Sequence, residues 1–329
     1  MDVLREYLYV DLDKVKGLAS QLYEGIPEAT EESNKKVSSG QLGSRSFAFV
    51  GAGRESDVMN RKDIVDALFP AMERDLEAEG YLEDISTVLS LAENFDSGVV
   101  SKDYPPGSIV RISSPGRLVD PRYFARTMAG FATAANGLHL LNPDQQVQVR
   151  PPGKRGAGRP RNTTKSEDLD ESIPDIPDNV EISTQTVRGM VKIMRGVYPE
   201  GVSMLLNPAG VEGPSISIRL QEGRQHLDAE PETLFARYGL GLQEWTVVGT
   251  IGYHAQGPDS SVPIEFTEAD NVINRGKLTA FVNNFLEGMS AIGLVQMAQA
   301  PGFSVVPIAV YRVVPRSVRN RGSEGPGIT

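Results

Sequence analysis

Arg150–Ile182, RPPGKRGAGRPRNTTKSEDLDESIPDIPDNVEI, divides the chain. Its first half carries Arg150, Lys154, Arg155, Arg159, Arg161 and Lys165 and no acid. Its second half carries Glu167, Asp168, Asp170, Glu171, Asp175, Asp178 and Glu181 and no base. Apolar residues are scarce, and Pro and Gly recur. Such a run buries too little surface to offset the entropy of ordering it, so it reads as a solvated linker. With its flank it gives a disordered charged linker over 147–182. An N-terminal α+β unit, 1–146, precedes it and a C-terminal α+β unit, 183–315, follows. A disordered basic tail with Arg316, Arg319 and Arg321 closes the chain over 316–329.

The bulk composition fits two folded units. At 329 residues, with 40% hydrophobic and 23% charged side chains, each part is long enough for its own core. A net charge of -10 argues against a general nucleic-acid-coating surface, although a local basic segment can still bind. There is no cysteine, which excludes disulfides, thiolate nucleophiles and cysteine-ligated metals. The opening MDVLREYLYVDLDK has acids early and no apolar core of the signal-peptide type. The apolar run Phe303 to Val314 contains Pro307 and Arg312 and is too short to span a bilayer. The expectation is a cytoplasmic protein with no membrane partner.

Along the chain, Val3 to Val10 reads as a strand. Asp11 or Asp13 then caps a helix with Leu12, Val15, Leu18, Ala19 and Leu22 on one face. Residues 28–56 are polar and rich in Ser and Gly, and read as a flexible loop. Gly51-Ala-Gly53 within it looks like a dinucleotide turn but lacks the third glycine and the strand–helix–strand context. A helix follows from about Lys62 to Glu79, with Pro70 marking a kink or break. Ser108 to Ile112 is a short strand, and Asp120-Pro121 starts a helix that Asn136-Gly137 closes.

Beyond the linker, Ser183 or Thr184 caps a helix. Val202 to Leu206 and Ser215 to Leu220 read as strands, Pro231 to Tyr238 as a short helix, and Trp245 to Tyr253 as a strand. From about Lys277 to Ile292, Leu278, Phe281, Val282, Phe285, Leu286, Met289 and Ile292 fall at the spacing of a buried helix face. A last strand runs from Phe303 to about Val313. Strands and helices mix without a regular repeat, so the fold class is α+β. It comprises two units, or one composite domain split by the linker; pairing of the first and last strands would favour the composite.

Three spaced segments carry a family resemblance: LREYLYVDLDKVKGLASQLYEGIPE, LFARYGLGLQEWTVVGTI and FSVVPIAVYR. They resemble the landmarks of an uncharacterised bacterial family known as a domain of unknown function. In that family a Gly/Ser-rich loop leads into a helix like DIVDALFPAMERDLEAEGYLEDI, and the order here agrees. The resemblance implies a cytoplasmic bacterial protein and supplies no activity, cofactor or catalytic residue to carry over.

The local feature that points to chemistry is Lys154-Arg155-Gly-Ala-Gly158-Arg159-Pro160-Arg161, which resembles the core of an AT-hook. An extended backbone can follow an A/T-rich minor groove, with Arg159 and Arg161 in its negative potential and Lys154 and Arg155 on phosphates. Pro160, after Gly158 and Arg159 in the Gly-Arg-Pro core, favours the extended path. His139, His226 and His254 lie far apart, without metal-site spacing. The Asp11-x-Asp13 pair reads first as helix capping.

These residues describe a non-enzymatic binding or regulatory protein whose folded part recognises a protein or small molecule, with no cofactor. A DNA-associated adaptor using the linker is one alternative. The other is an enzyme whose site is assembled from Asp11, Asp13, His226 and His254.

Overall fold

A computed structural model describes residues 4–23, 67–141, 173–177, 180–220, 226–261 and 273–315. The loop expected over 28–56, most of the linker and the 316–329 tail lie outside them. The architecture is α+β. The strands are β1 (Arg5–Val10), β2 (Leu82–Asp84), β3 (Ile109–Val119), β4 (Ser203–Leu206), β5 (Ile216–Arg219), β6 (Gln243–His254) and β7 (Phe303–Val313). The helices flanking β1, β2 and β3 are α1 (Leu12–Leu22), α2 (Phe69–Ala78), and the short α3 (Ser86–Leu89), α4 (Ala92–Asp96) and α5 (Val99–Asp103). Then come α6 (Pro121–Leu141), α7 (Thr184–Val197), α8 (Pro231–Tyr238) and α9 (Arg275–Ala291).

The strand pairings close on themselves. β7 pairs β5, β5 pairs β4, β4 pairs β3, and β6 pairs both β3 and β7, which makes a ring of five strands. β1 extends it alongside β7, antiparallel, and β2 alongside β3, parallel. Strands from both sides of the charged stretch therefore share one sheet.

Alternation fills the ring. Val110 and Ile112, Met204 and Leu206, Ile216 and Ile218, and Phe303 and Val305 belong to one buried cluster. Leu89, Phe95 and Val100 from the short helices, and Leu234 and Phe235 from α8, join it. Each such side chain contributes roughly 1.5–3 kcal/mol when fully buried. The opposite sheet face packs under α1 and α2, where Val15, Ala19, Phe69, Met72 and Leu76 meet Val248, Ala309 and Tyr311.

Two local features pin the sheet. The first is a bulge in β7. Val248 pairs Ala309 but Gly249 pairs Pro307, so Ile308 is the extra residue. A proline without an N–H is tolerated in an interior strand at such a place. Gly249 is needed opposite it, because a Cβ there would stand 2.6 Å from the Val306 carbonyl oxygen. The second is a charged knot under α2. Glu73, 1% exposed, accepts from Arg5 (2.8 Å), from Arg111 Nε (2.9 Å) and from the Tyr311 hydroxyl (2.8 Å). It ties the helix to β1, β3 and β7 at once.

Pro70 lies in the first turn of α2, where a missing N–H costs nothing, and the start of the helix expected from about Lys62 lies outside the described residues. Several expectations need correction. β3 runs on to Val119, well past Ile112, because β6 and β4 pair the stretch Ser113–Val119 despite its Pro115-Gly116. α6 continues through Asn136-Gly137 to Leu141. The stripe on α9 is not buried: Val282 and Phe285 are exposed and Ser290 is its one buried residue. The expected linker is not solvated throughout. Ile173 and Ile176 pack with Ala125 and Ala132 of α6 and Val187 and Val191 of α7, and Arg188 donates to the Ile173 carbonyl (2.6 Å).

Candidate functional site

The site forms where β1 hands the chain to α1. Asp11 caps α1, its Oδ1 accepting from Lys14 N (3.0 Å). The β7 bulge turns two carbonyls toward this point. Asp11 N donates to Ile308 O (2.8 Å), and Lys14 Nζ donates to Pro307 O (3.1 Å). Lys14 Nζ also stands 2.8 Å from Asp11 Oδ2. Burial pushes the Asp11 carboxyl up, but its hydrogen bonds from Lys14 and the Lys14 charge, with a smaller contribution from His226, hold it below the usual carboxylate range.

The free edge of β1 is taken by residues 226–228. Val10 N donates to His226 O (3.0 Å) and Asp228 N to Leu8 O (2.9 Å), around the antiparallel bridge Tyr9–Leu227. This seats the His226 ring edge-on to Tyr9, 5.8 Å between centroids. One donor atom each from Asp11, Asp13 and His226 then falls within 4.8 Å of the others. His226 is 2% exposed, and its Nδ1 has no hydrogen-bond partner among the described residues.

Beside this cluster opens a cleft of about 650 Å³. Tyr9 and Lys14 line one side, Ser217 and Arg219 of β5 and Ser304 of β7 its floor, and Tyr253 and Gln296 the far wall. The floor follows from strand alternation: Ile216, Ile218, Phe303 and Val305 fill the ring, so their neighbours face outward. The Tyr253 hydroxyl accepts from Ala298 N (2.7 Å), and burial pushes its pKa up. One Arg219 nitrogen donates to Glu200 O (3.3 Å). No carboxylate is among the described lining residues.

Three of the four residues set out for an enzyme site, Asp11, Asp13 and His226, are brought together. His254 is not part of that group. Its Nε2 meets Tyr104 O (2.8 Å), and its ring lies against Phe303. His139 sits in the last turn of α6. Lys154, Arg155, Gly158, Arg159, Pro160 and Arg161 lie outside the described residues. Sequence reasoning missed Lys14, Arg219, Tyr253, Ser217 and Ser304. The polar residues alternating with Ile216, Ile218, Phe303 and Val305 were the available signal.

No helix among the described residues is long and apolar enough to cross a membrane. A protein-family model described as "Domain of unknown function (DUF6414)" matches residues 4–311, in agreement with the resemblance carried by the spaced segments. No curated protein and no solved structure matches the chain.

Proposed function

The chain belongs to the DUF6414 family, and on that premise we propose that it is a non-enzymatic binding protein whose cleft takes a small organic anion. The observation that carries this reading is the lining. Lys14 and Arg219 bring two cations, Tyr9, Ser217, Tyr253 and Ser304 bring hydroxyls, and no acid is among the described residues that line the space. An ammonium has three N–H donors. Asp11 Oδ2 and Pro307 O take two from Lys14, and the third serves a ligand. A volume of about 650 Å³ suits a metabolite-sized molecule.

The test is calorimetric titration of the full chain with inorganic phosphate, succinate and a nucleoside monophosphate, each against an uncharged analogue. At least one anion should bind, and Arg219→Gln should weaken it by about tenfold or more, the effect of losing one charge-assisted hydrogen bond. Equal binding of the uncharged analogue, or an unchanged affinity in Arg219→Gln, would refute the assignment.

A second reading rests on the Gly158-Arg159-Pro160 core and its basic flanks. In it the linker touches A/T-rich DNA while the folded part binds its ligand. The full chain should then be retained on an A/T-rich duplex at ~100 mM salt, and Arg159→Ala should abolish retention. Arg159→Ala with the salt dependence of the wild type would dismiss groove insertion.

A further inference from the structure

The geometry points to a divalent transition-metal site at Asp11, Asp13 and His226, distinct from the anion cleft and independent of that reading. Two observations meet here. The first is the donor set: one imidazole nitrogen and two carboxylates whose ligand atoms lie within 4.8 Å of one another. The second is His226 itself. It is buried to 2% exposure, and its Nδ1 has no hydrogen-bond partner among the described residues. A buried ring nitrogen without a partner is costly to keep, and a metal bond is one of the few ways to satisfy it.

The spacing fits a cation after a small contraction. Zinc ligands at bond lengths of about 2.0–2.1 Å stand about 3.4 Å apart in a tetrahedron. His226 is fixed by the strand bridge and Asp11 by its cap. Asp13 is exposed on the first turn of α1 and free to rotate inward. One nitrogen with two carboxylate oxygens favours Zn²⁺ or a neighbouring first-row ion over Ca²⁺, which takes six to eight oxygens. Three protein ligands also leave a coordination position open to solvent beside Asp13.

Two features oppose the ion, and each has an answer. The positive end of the α1 dipole repels a cation, but two carboxylates at close range outweigh a partial charge. Lys14 already holds Asp11 Oδ2 at 2.8 Å. Its side chain is 39% exposed, so it can swing out when a metal takes that oxygen. Lys14 thus acts as the resident counter-ion of an apo site. Metal binding transfers its charge toward the cleft that it lines.

Lys14 provides the discriminating test. Zn²⁺ is titrated calorimetrically into the full chain, with Ca²⁺ as the comparison ion. The wild type should bind one Zn²⁺ that is lost, or weakened by about tenfold or more, in both Asp13→Asn and His226→Gln. Lys14→Met should bind Zn²⁺ more tightly than the wild type, because the competing cation is gone. The same variant should bind the cleft anion more weakly, so the two readings fail separately. Asp13→Asn changes an exposed side chain and leaves the fold intact, which keeps the result interpretable if His226→Gln does not fold. The proposal falls if no heat develops up to about 1 mM free Zn²⁺. It falls equally if Asp13→Asn binds as the wild type does, or if Lys14→Met loses the metal.

Discussion

Glu73→Ala loses about 3–5 kcal/mol of stability, read as a large drop in the urea midpoint by circular dichroism. The reason is what the carboxylate leaves behind. Arg5 and Arg111, 20% and 16% exposed at the side chain, lose their common buried partner. Arg111 keeps Glu77 (2.9 Å), but that acid is half exposed and its pairing is correspondingly weak. Burial opposes the Arg111 charge, yet hydrogen bonds and charge from Glu77 and Glu73 together hold its pKa above the ordinary value. The Tyr311 hydroxyl, pushed up to about 12 by burial and then by the Glu73 charge, is left without its acceptor. Glu73→Gln retains acceptors without the charge and should fall between the wild type and Glu73→Ala. A loss below about 1 kcal/mol for Glu73→Ala would mean that water already solvates the knot.

Phe303→Ala loses a comparable amount, about 3–5 kcal/mol, because it empties the inside of the strand ring. Phe303 is fully buried at the start of β7. It pairs with Ile216 on one side and His254 on the other, and its ring stacks on Phe95 of α4 at 6.2 Å. The truncated side chain therefore loosens the short helices as well as two strand ladders. Val313→Ala, in the same strand but 52% exposed, should stay within about 0.5 kcal/mol of the wild type. Equal losses for the two variants would contradict a closed interior at this position.

What could be read in advance depended on how local the cause was. β7 and α8 were legible because their signals are self-contained. Phe303–Val313 is a nearly continuous apolar run with a single charge at Arg312, and α8 starts at Pro231 and stops at Gly239 with φ +67. The far end of β3 was not legible. Pro115 and Gly116 resemble a turn until β6 and β4 pair with them, and Gly116 packs so close that a Cβ would meet Leu206 Cδ2 at 2.4 Å. Periodicity on α9 announced an apolar face correctly but could not say whether anything covers it.

The candidate site shows the same division. The cap role of Asp11 was readable from three neighbouring residues. Its meeting with His226 depends on an antiparallel bridge across more than two hundred positions, which no local pattern encodes. The cleft hid for a related reason. Ser217, Arg219, Tyr253 and Ser304 come from three strands and converge only once β5, β6 and β7 are laid side by side, and Tyr9 and Lys14 join them from β1 and α1.

Closing the hydrogen-bonded hoop has a further result for the behaviour of the chain at high concentration. An open sheet offers its outermost backbone groups to any passing strand, and that is how many β-proteins begin to stick together. Here β3, β4, β5, β6 and β7 satisfy one another around a circuit. Of the two appended strands, one is only three residues long and the other is flanked by residues 226–228. Among the described residues, little template remains for runaway pairing, so a protein so rich in β-branched segments can stay dispersed without relying on its charge alone.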